Sequence, residues 1–409
     1  MEIPGLPPRL LGALVAQAEG RRLAVVGGAV RDLLLHRVHD DPWRGLPDLD
    51  LVVEGSAPQL AERLQRWAGP ERVAFCRPHP AYGTVELELD GVLLDLASAR
   101  RETYPALGEN PQVRFASLED DLARRDFTIN AMALELASGA GGVVALRVLD
   151  PHQGQADLEG RLLRFLHGSS VAEDPTRVVR AARYAARMGF ALAPESHGQV
   201  SQTLAAWPWA WRPGDPPQMA PPALGTRLRM ELDLLLQREP WPMALARLQT
   251  WGALALVDGA LQVDVHWRRR LAWARRFGLP LLPALLAAAT DPVAVAQRLQ
   301  VPHHGQKLLH QLGELRGWLA ERRGSDGDWG PAAWSDALEG QGWSAEAVAL
   351  ALAAGDGPRR PLLRWWLRWR HLKNPVSAKT LMAAGVPPGP ALGEELRRQR
   401  SLRLDQERL

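Results

Sequence analysis

The stretch LAVVGGAVRDLLLHR, Leu23 to Arg37, joins an apolar run to two glycines and then to a helical pattern opening near Ala29. A strand, a glycine turn and a helix in that order gather free backbone N–H groups and the positive end of a helix dipole at one spot. Such a turn suits a phosphate, and glycine lets the phosphate approach closely. A tight strand-to-helix turn also needs glycine for its own sake, and the GxGxxG spacing of a dinucleotide site is absent. The turn therefore asks for a partner elsewhere in the chain.

Downstream lies PDLDLVVEG, Pro47 to Gly55. Residues i and i+2 of a strand share a face, so Asp48 and Asp50 present parallel carboxylates while Leu51, Val52 and Val53 carry the strand into a core. Two such carboxylates suit Mg²⁺, which prefers oxygen ligands and shares itself with substrate phosphates. A pair of solvated strand-end aspartates would read the same way. The rival Asp40-Asp41 pair sits in a polar loop with Pro42 and Gly45 and lacks the alternation. Asp95 in VLLDLASARRE is the candidate for a third carboxylate from a neighbouring strand.

Further apolar runs organise the first 150 or so residues. LAVVGG, LDLVVEG, YGTVELEL, VLLDLAS and VVALRVLD alternate with polar turns and helical stretches. They predict a mixed α/β domain with a sheet of about five strands. Beyond about residue 160 the strand signals stop, and Leu, Ala and Trp recur at helical spacing, so the chain reads as α+β. Pro- and Gly-rich breaks at Trp207–Pro222, Gly324–Pro331 and Gly355–Pro361 are candidate linkers.

Composition narrows the partners. The 409 residues carry a net charge of +3, and only Lys307, Lys373 and Lys379 are lysines. The arginine excess fits either a GC-rich genome or a polyanionic partner, because planar guanidinium groups pair with phosphates bidentately. The single cysteine, Cys76, cannot form an internal disulfide and points to a reducing compartment. The N-terminus has no signal-peptide pattern, and the run Leu279–Ala289 is too short for the roughly 20 residues a span needs and contains prolines. A soluble, cytoplasmic protein with no membrane contact is expected. The 16 tryptophans, among them Trp207, Trp209, Trp211, Trp365, Trp366 and Trp369, fit packing between helices better than stacking on RNA bases.

Read together and in order, VGGAVRD, DLDLVVEG, YGTVEL, LDLASARRETY, RRDFTINAMA and EDPTRVVRAARYAARMGF resemble the class II tRNA nucleotidyltransferases and bacterial poly(A) polymerases, a family related to DNA polymerase β. The close resemblance covers residues 22 to about 190. It implies a polymerase-β-like nucleotidyltransferase head (1–160), then all-helical neck (161–222), body (223–355) and tail (356–409). Gly27, Gly28 and Arg31 would meet a triphosphate, and Asp48 and Asp50 would be the catalytic, Mg²⁺-holding carboxylates. In RRDFTINA, Arg125 would bind the nucleotide, Asp126 the ribose hydroxyl, and Asn130 would support from the same helix face.

In EDPTRVVRAAR the family pattern makes Asp174 and Arg177 the readers of the base, with Arg180 and Arg183 reaching the triphosphate. Cytosine and adenine each offer an amino donor beside a ring-nitrogen acceptor, so an aspartate acceptor with an arginine donor fits both. Uracil and guanine would leave buried polar groups unpaired, at about 1–3 kcal/mol each. The family's flexible segment, here Ala97–Ala123, has full length rather than the shortened form of members adding only two cytidines, which favours addition of the terminal adenosine. In the tail, Lys373, Lys379, Arg397, Arg398 and Arg400 would touch tRNA.

The resemblance thus implies template-independent addition or repair of the CCA 3′ end of tRNA from CTP and ATP, with Mg²⁺ as cofactor, pyrophosphate release and no obligate protein partner. Adenosine addition alone, poly(A) tailing or a catalytically idle RNA-binding protein are the alternatives. The chain departs from the pattern in its longer loop HRVHDDPWRGLP and in carrying Gly154-Gln155 where relatives have two glycines.

Overall fold

The computed structural model describes residues 3–45, 48–80, 83–103, 111–138, 144–205, 222–322 and 329–407. The chain divides into two compact units, one of Met1–Pro208 with Glu239–Trp251 and one of Trp209–Arg238 with Gly252–Leu409. The linker around residues 207–221, Trp207, Trp209 and Trp211 in it, and residues 324–328 lie outside the described residues.

The first unit is built on a mixed sheet. Its strands are β1 (Leu23–Val26), β2 (Leu49–Val53), β3 (Val73–His79), β4 (Thr84–Leu89) and β5 (Val92–Ser98). A separate hairpin of β6 (Arg100–Thr103) and β7 (Gln112–Phe115) follows, then β8 (Ala133–Ser138) and β9 (Val144–Leu149). The main sheet has seven strands in the order β3-β4-β5-β2-β1-β8-β9. The expected five grow by β3 and β8. β3 is an edge strand with a mostly exposed face and Pro78 within it, so it lacks an apolar alternation. β8 follows directly on the RRDFTINA segment, whose mixed pattern reads as a helix.

Within the main sheet, among the described residues, β2 and β5 are the parallel pair, and β1 runs antiparallel to both β2 and β8. Period-2 alternation splits the side chains between the two faces. Ala24, Val26, Val52, Ala99, Leu118, Leu122 and Ala133 form one buried cluster. Leu118 and Leu122 come from a short helix, Leu118–Ala123, that Ser117 and Asp120 start with a reciprocal capping box. The helices Pro8–Gln17 and Ala57–Ala68 pack on the sheet, burying Leu10, Leu14, Leu60 and Leu64. After the sheet comes the amphipathic helix Thr176–Met188, whose Val178, Val179, Ala181, Ala182 and Ala185 are buried together with Arg177. The helix Trp241–Thr250 packs against it.

The second unit is helical throughout its described residues. At its centre the helix Ala345–Ala354 is buried on nearly every side, as its uninterrupted Ala, Val and Leu require. Trp318, Trp329, Trp334 and Trp343 meet edge to face with centroids 5.4–6.1 Å apart, and Trp365 and Trp369 are buried. Tryptophan as filler between helices accounts for these residues. No helix among the described residues is long and apolar enough to cross a membrane.

Candidate active site

The site begins at the turn after β1. Gly27 takes φ 71°, a backbone conformation that L side chains rarely adopt, and the helix Gly28–Val38 starts immediately after it. A Cβ at Gly27 would stand 3.1 Å from Asp50 Oδ2 and 3.2 Å from Arg125 Nη1. The glycine is thus required twice, by the turn and by the close approach of two site residues.

Antiparallel pairing of β1 with β2 brings Asp50 alongside this turn, and the parallel β2–β5 pairing sets Asp50 directly opposite Asp95. Asp48 joins them from the start of β2. One ligand oxygen from each of Asp48, Asp50 and Asp95 lies within 4.8 Å of the others. Three carboxylates so close repel one another unless protonated or bridged by a cation. Burial, with the Asp48 charge and Asp95 behind it, pushes Asp50 up to about 6 against the opposing pull of Arg125. Asp95 is likewise raised, by burial, Asp48 and Glu86. An all-oxygen donor set gathered this closely fits a hard divalent cation, whose charge would relieve the mutual repulsion of the carboxylates. A cavity of about 290 Å³ opens over this cluster, lined by Val26, Asp50, Glu86, Asp95, Arg124 and Arg125 among others.

Of the rival pair Asp40-Asp41, Asp41 is engaged elsewhere. Arg161 clamps Asp41 at 2.8 Å and holds its carboxyl below the usual range. Asp150, beside the altered Gly154-Gln155 turn, accepts both backbone N–H groups of that pair at 2.6 and 3.0 Å. A Cβ at Gly154 would sit 2.4 Å from the Thr128 carbonyl oxygen, so the retained glycine is the one the packing needs.

The RRDFTINA segment corrects one expectation. Thr128–Asn130 is a single 3₁₀ turn ahead of β8 rather than part of an α-helix. Asn130 still reaches back four residues, donating to Asp126 Oδ1 at 3.1 Å, and it accepts from Arg31 Nη1 at 2.9 Å. Asp126 is buried, and Arg180 approaches its other oxygen at 2.9 Å. Burial opposes the charge, yet Arg180, the Asn130 amide and Arg177 outweigh it and hold Asp126 below the usual carboxylate range.

Arg31 is only 4% exposed. Asp32 receives its Nε and Nη2 at 2.8 and 3.0 Å, and the Tyr184 ring lies 5.5 Å from the guanidinium carbon. Asp32 therefore orients Arg31. Arg183 bonds Glu239 at 3.3 Å, and Arg187 pairs with the same buried carboxylate.

The base-reading candidates sit at a helix start. Glu173 ends a preceding short helix, and the long helix begins at Thr176 rather than at Glu173. Asp174 Oδ1 accepts from the Thr176 N–H at 3.1 Å and its hydroxyl at 2.7 Å. Arg177 is buried and donates to the Ser170 and Arg124 carbonyls at 3.3 and 3.4 Å. Beside them a second cavity of about 420 Å³ is lined by Glu102, Arg124, His167, Glu173 and Arg177 among others.

Sequence reasoning missed Asp121, Glu102 and Tyr184. Asp121 is fully buried and takes Arg124 at 2.9 Å and Arg125 at 3.0 Å, while Arg124 also reaches Glu102 of β6 at 2.8 Å. The start of the segment Ala97–Ala123 is thereby tied to Arg125 through Arg124 and Asp121; residues 104–110 lie outside the described residues. In the tail, Lys373, Lys379 and Arg397 are exposed. Arg398 forks onto Glu395 at 2.8 Å, and Arg400 onto Glu339 at 2.7 and 2.8 Å.

A mixed sheet that presents an acidic triad beside a glycine turn and a buried arginine cluster defines a nucleotidyltransferase head. Residues 23–164 match the poly A polymerase head domain. The CC-adding tRNA nucleotidyltransferase of Deinococcus radiodurans is 37% identical over 388 residues, 93% of this chain and 84% of that protein. The A-adding tRNA nucleotidyltransferase of Geobacter sulfurreducens is 30% identical over 93% of this chain and 43% of its own length. A solved CCA-adding enzyme in its apo form aligns with a TM-score of 0.71 at 25% identity, covering 98% of this chain and 93% of that one. The chain belongs to the tRNA nucleotidyltransferase family, and it is an enzyme that transfers nucleotides to RNA 3′ ends.

Proposed function

We propose that the enzyme adds or repairs the CCA end of tRNA without a nucleic-acid template, in the cytoplasm, using CTP and ATP. The convergence of Asp48, Asp50 and Asp95 beside the Gly27 turn carries this reading. These carboxylates would hold Mg²⁺, which when bound supplies Lewis-acid charge to the attacking hydroxyl and the leaving pyrophosphate. The RNA 3′-hydroxyl attacks the α-phosphate in line. The turn at Gly27 and Gly28, with Arg31, Arg180 and Arg183, receives the triphosphate, and Arg125 fixes the nucleotide over the acidic cluster.

Asp126, kept ionised by Arg180 and Asn130, accepts the ribose hydroxyl. Asp174 and Arg177 read the base edge. Their carboxylate and guanidinium accept C and A alike. Head, neck, body and tail follow the boundaries 1–160, 161–222, 223–355 and 356–409, with Lys373, Lys379, Arg397, Arg398 and Arg400 toward tRNA.

A second reading is addition of the two cytidines alone, favoured by the extent of the match to the Deinococcus protein. tRNA transcripts ending before CCA and after CC, with an unrelated RNA as control, separate the possibilities. CTP and ATP incorporation on the first is expected; incorporation of CTP only establishes the second reading, ATP on the CC-ended RNA only establishes adenosine addition, and tailing of the unrelated RNA establishes poly(A) synthesis. No incorporation on any RNA overturns all four.

A further inference from the structure

The acidic row of the sheet continues one strand past the triad. β4 and β5 pair antiparallel with Glu86 directly opposite Asp95, and the β2–β5 pairing sets Asp50 opposite Asp95 on the other side. Opposed residues share a face, with Cβ atoms about 4.5–5.5 Å apart across an antiparallel pair. In the strand order β4-β5-β2-β1 the row therefore runs Glu86, Asp95, Asp50 and then the turn at Gly27, where a Cβ would stand 3.1 Å from Asp50 Oδ2. Glu86 lines the same cavity as Asp50 and Asp95, yet it is not one of the three carboxylates whose ligand oxygens converge. Arg77, opposite Glu86 on β3, donates to its Oε2 at 3.1 Å. His79 Nε2 lies 3.7 Å from Oε1, too far for a hydrogen bond. One oxygen of Glu86 is thus gripped, and the other keeps its capacity to accept.

We propose that Glu86 accepts a hydrogen bond from the 2′-hydroxyl of the terminal ribose of the RNA being extended, and so makes the enzyme demand a ribonucleotide end. The proposal rests on the reading of the chain as an enzyme that extends RNA 3′ ends. It concerns the acceptor RNA, whereas Asp126 concerns the incoming nucleotide. In-line displacement puts the attacking oxygen and the leaving pyrophosphate on opposite sides of the α-phosphorus. With the triphosphate at the Gly27 turn, the leaving group lies at the β1 end of the row, and the 3′-hydroxyl comes from the β5 and β4 end. The 2′-hydroxyl sits on the neighbouring ribose carbon, and the next acceptor along the row from Asp95 is Glu86. A hydroxyl donating to a carboxylate is a charge-assisted bond. A deoxyribose end offers no donor there and leaves the carboxylate short of one partner.

The test measures kcat/KM for nucleotide incorporation into tRNA transcripts, ending before CCA or after CC, whose last residue is either a ribonucleotide or its 2′-deoxy counterpart. Wild type, Glu86→Ala and Glu86→Gln are compared. Wild type is expected to favour the ribonucleotide end by about tenfold or more, the range of a hydrogen bond to a charged group. Glu86→Ala should slow incorporation on the ribonucleotide end alone and bring the ratio near one. Glu86→Gln, whose amide oxygen still accepts, should keep part of the preference, and affinity for CTP and ATP by equilibrium dialysis should be the same in all three proteins. Slowing on both ends by the same factor overturns the proposal and makes Glu86 a support of the acidic cluster. An unchanged ratio in a Glu86→Ala protein that melts like wild type also overturns it. If Glu86→Ala does not fold, Glu86→Gln decides, and a ratio equal to that of wild type then removes the assignment. Wild-type incorporation without preference for the ribonucleotide end removes the assignment alone, whereas no incorporation on any end removes the enzymatic reading and the assignment with it.

Discussion

Asp50 occupies the position where every local pressure meets. Its raised folded value of about 6 stands above the ordinary carboxylate value near 3.9, so the folded protein keeps a proton that the unfolded chain has released. The metal-free protein is therefore expected to lose stability as pH rises from about 4 through 6, with no further loss above. Added Mg²⁺ reverses this, so the melting-temperature gain from Mg²⁺ is larger at pH 7.5 than at pH 5, and Asp50→Asn abolishes the difference. The same variant should lower nucleotide incorporation by roughly 10²–10³-fold or more.

Gly27→Ala meets both a strained backbone and the crowding of Asp50 and Arg125. A stability loss of about 1–3 kcal/mol by denaturant titration is expected, with a fall in incorporation larger than stability alone explains. Gly27 and the DxD pair were legible from the sequence because local alternation and turn chemistry put them there. Tyr184 and Asp32 as the setting of Arg31 were not, since neither spacing nor residue type announces which arginine a ring or carboxylate will meet.

At the scale of elements, the helix Thr176–Met188 is held in two ways. Arg180 meets Asp126 of the head, and Arg183 and Arg187 share Glu239, which precedes the helix Trp241–Thr250. Glu239→Ala leaves two arginines without their buried acceptor. A loss of roughly 2–3 kcal/mol is expected in urea unfolding, less than for a fully buried pair because Arg187 is partly exposed.

Asp126 has the opposite sign to Asp50. Its folded value is depressed, so its contribution is present above the ordinary carboxylate value and is lost as pH falls through the lower folded value. Melting of wild type and Asp126→Asn should therefore converge only in strong acid. The elements themselves were readable where periodicity was clean. β3 and the 3₁₀ turn at Thr128–Asn130 were not, because an exposed edge strand needs no alternation and a single turn has no period.

Over the whole molecule, charge is not distributed by residue type alone. Lys373, Lys379 and Arg397 are exposed, whereas Arg398 and Arg400 are already engaged by Glu395 and Glu339. Replacing the first three with alanine should weaken tRNA binding and reduce its salt slope by about 2–3. Replacing Arg398 and Arg400 should change binding less, and Arg400→Ala should instead lower the melting temperature. The sequence treats all five alike, since it does not show which cation a distant glutamate will claim.

The sequence by itself determined the α+β class, the glycine turn, the DxD strand and the arginine-rich helix, because each rests on neighbours within a few residues. The tertiary structure alone decided that Asp95 completes the acidic cluster, that Gly27 must also make room for Asp50 and Arg125, and that Asp121 binds both arginines of the RRD segment. Those outcomes depend on strand pairing and packing between residues far apart in the chain. The opening turn thus becomes one wall of a charged cavity, a role set by the strands that close around it.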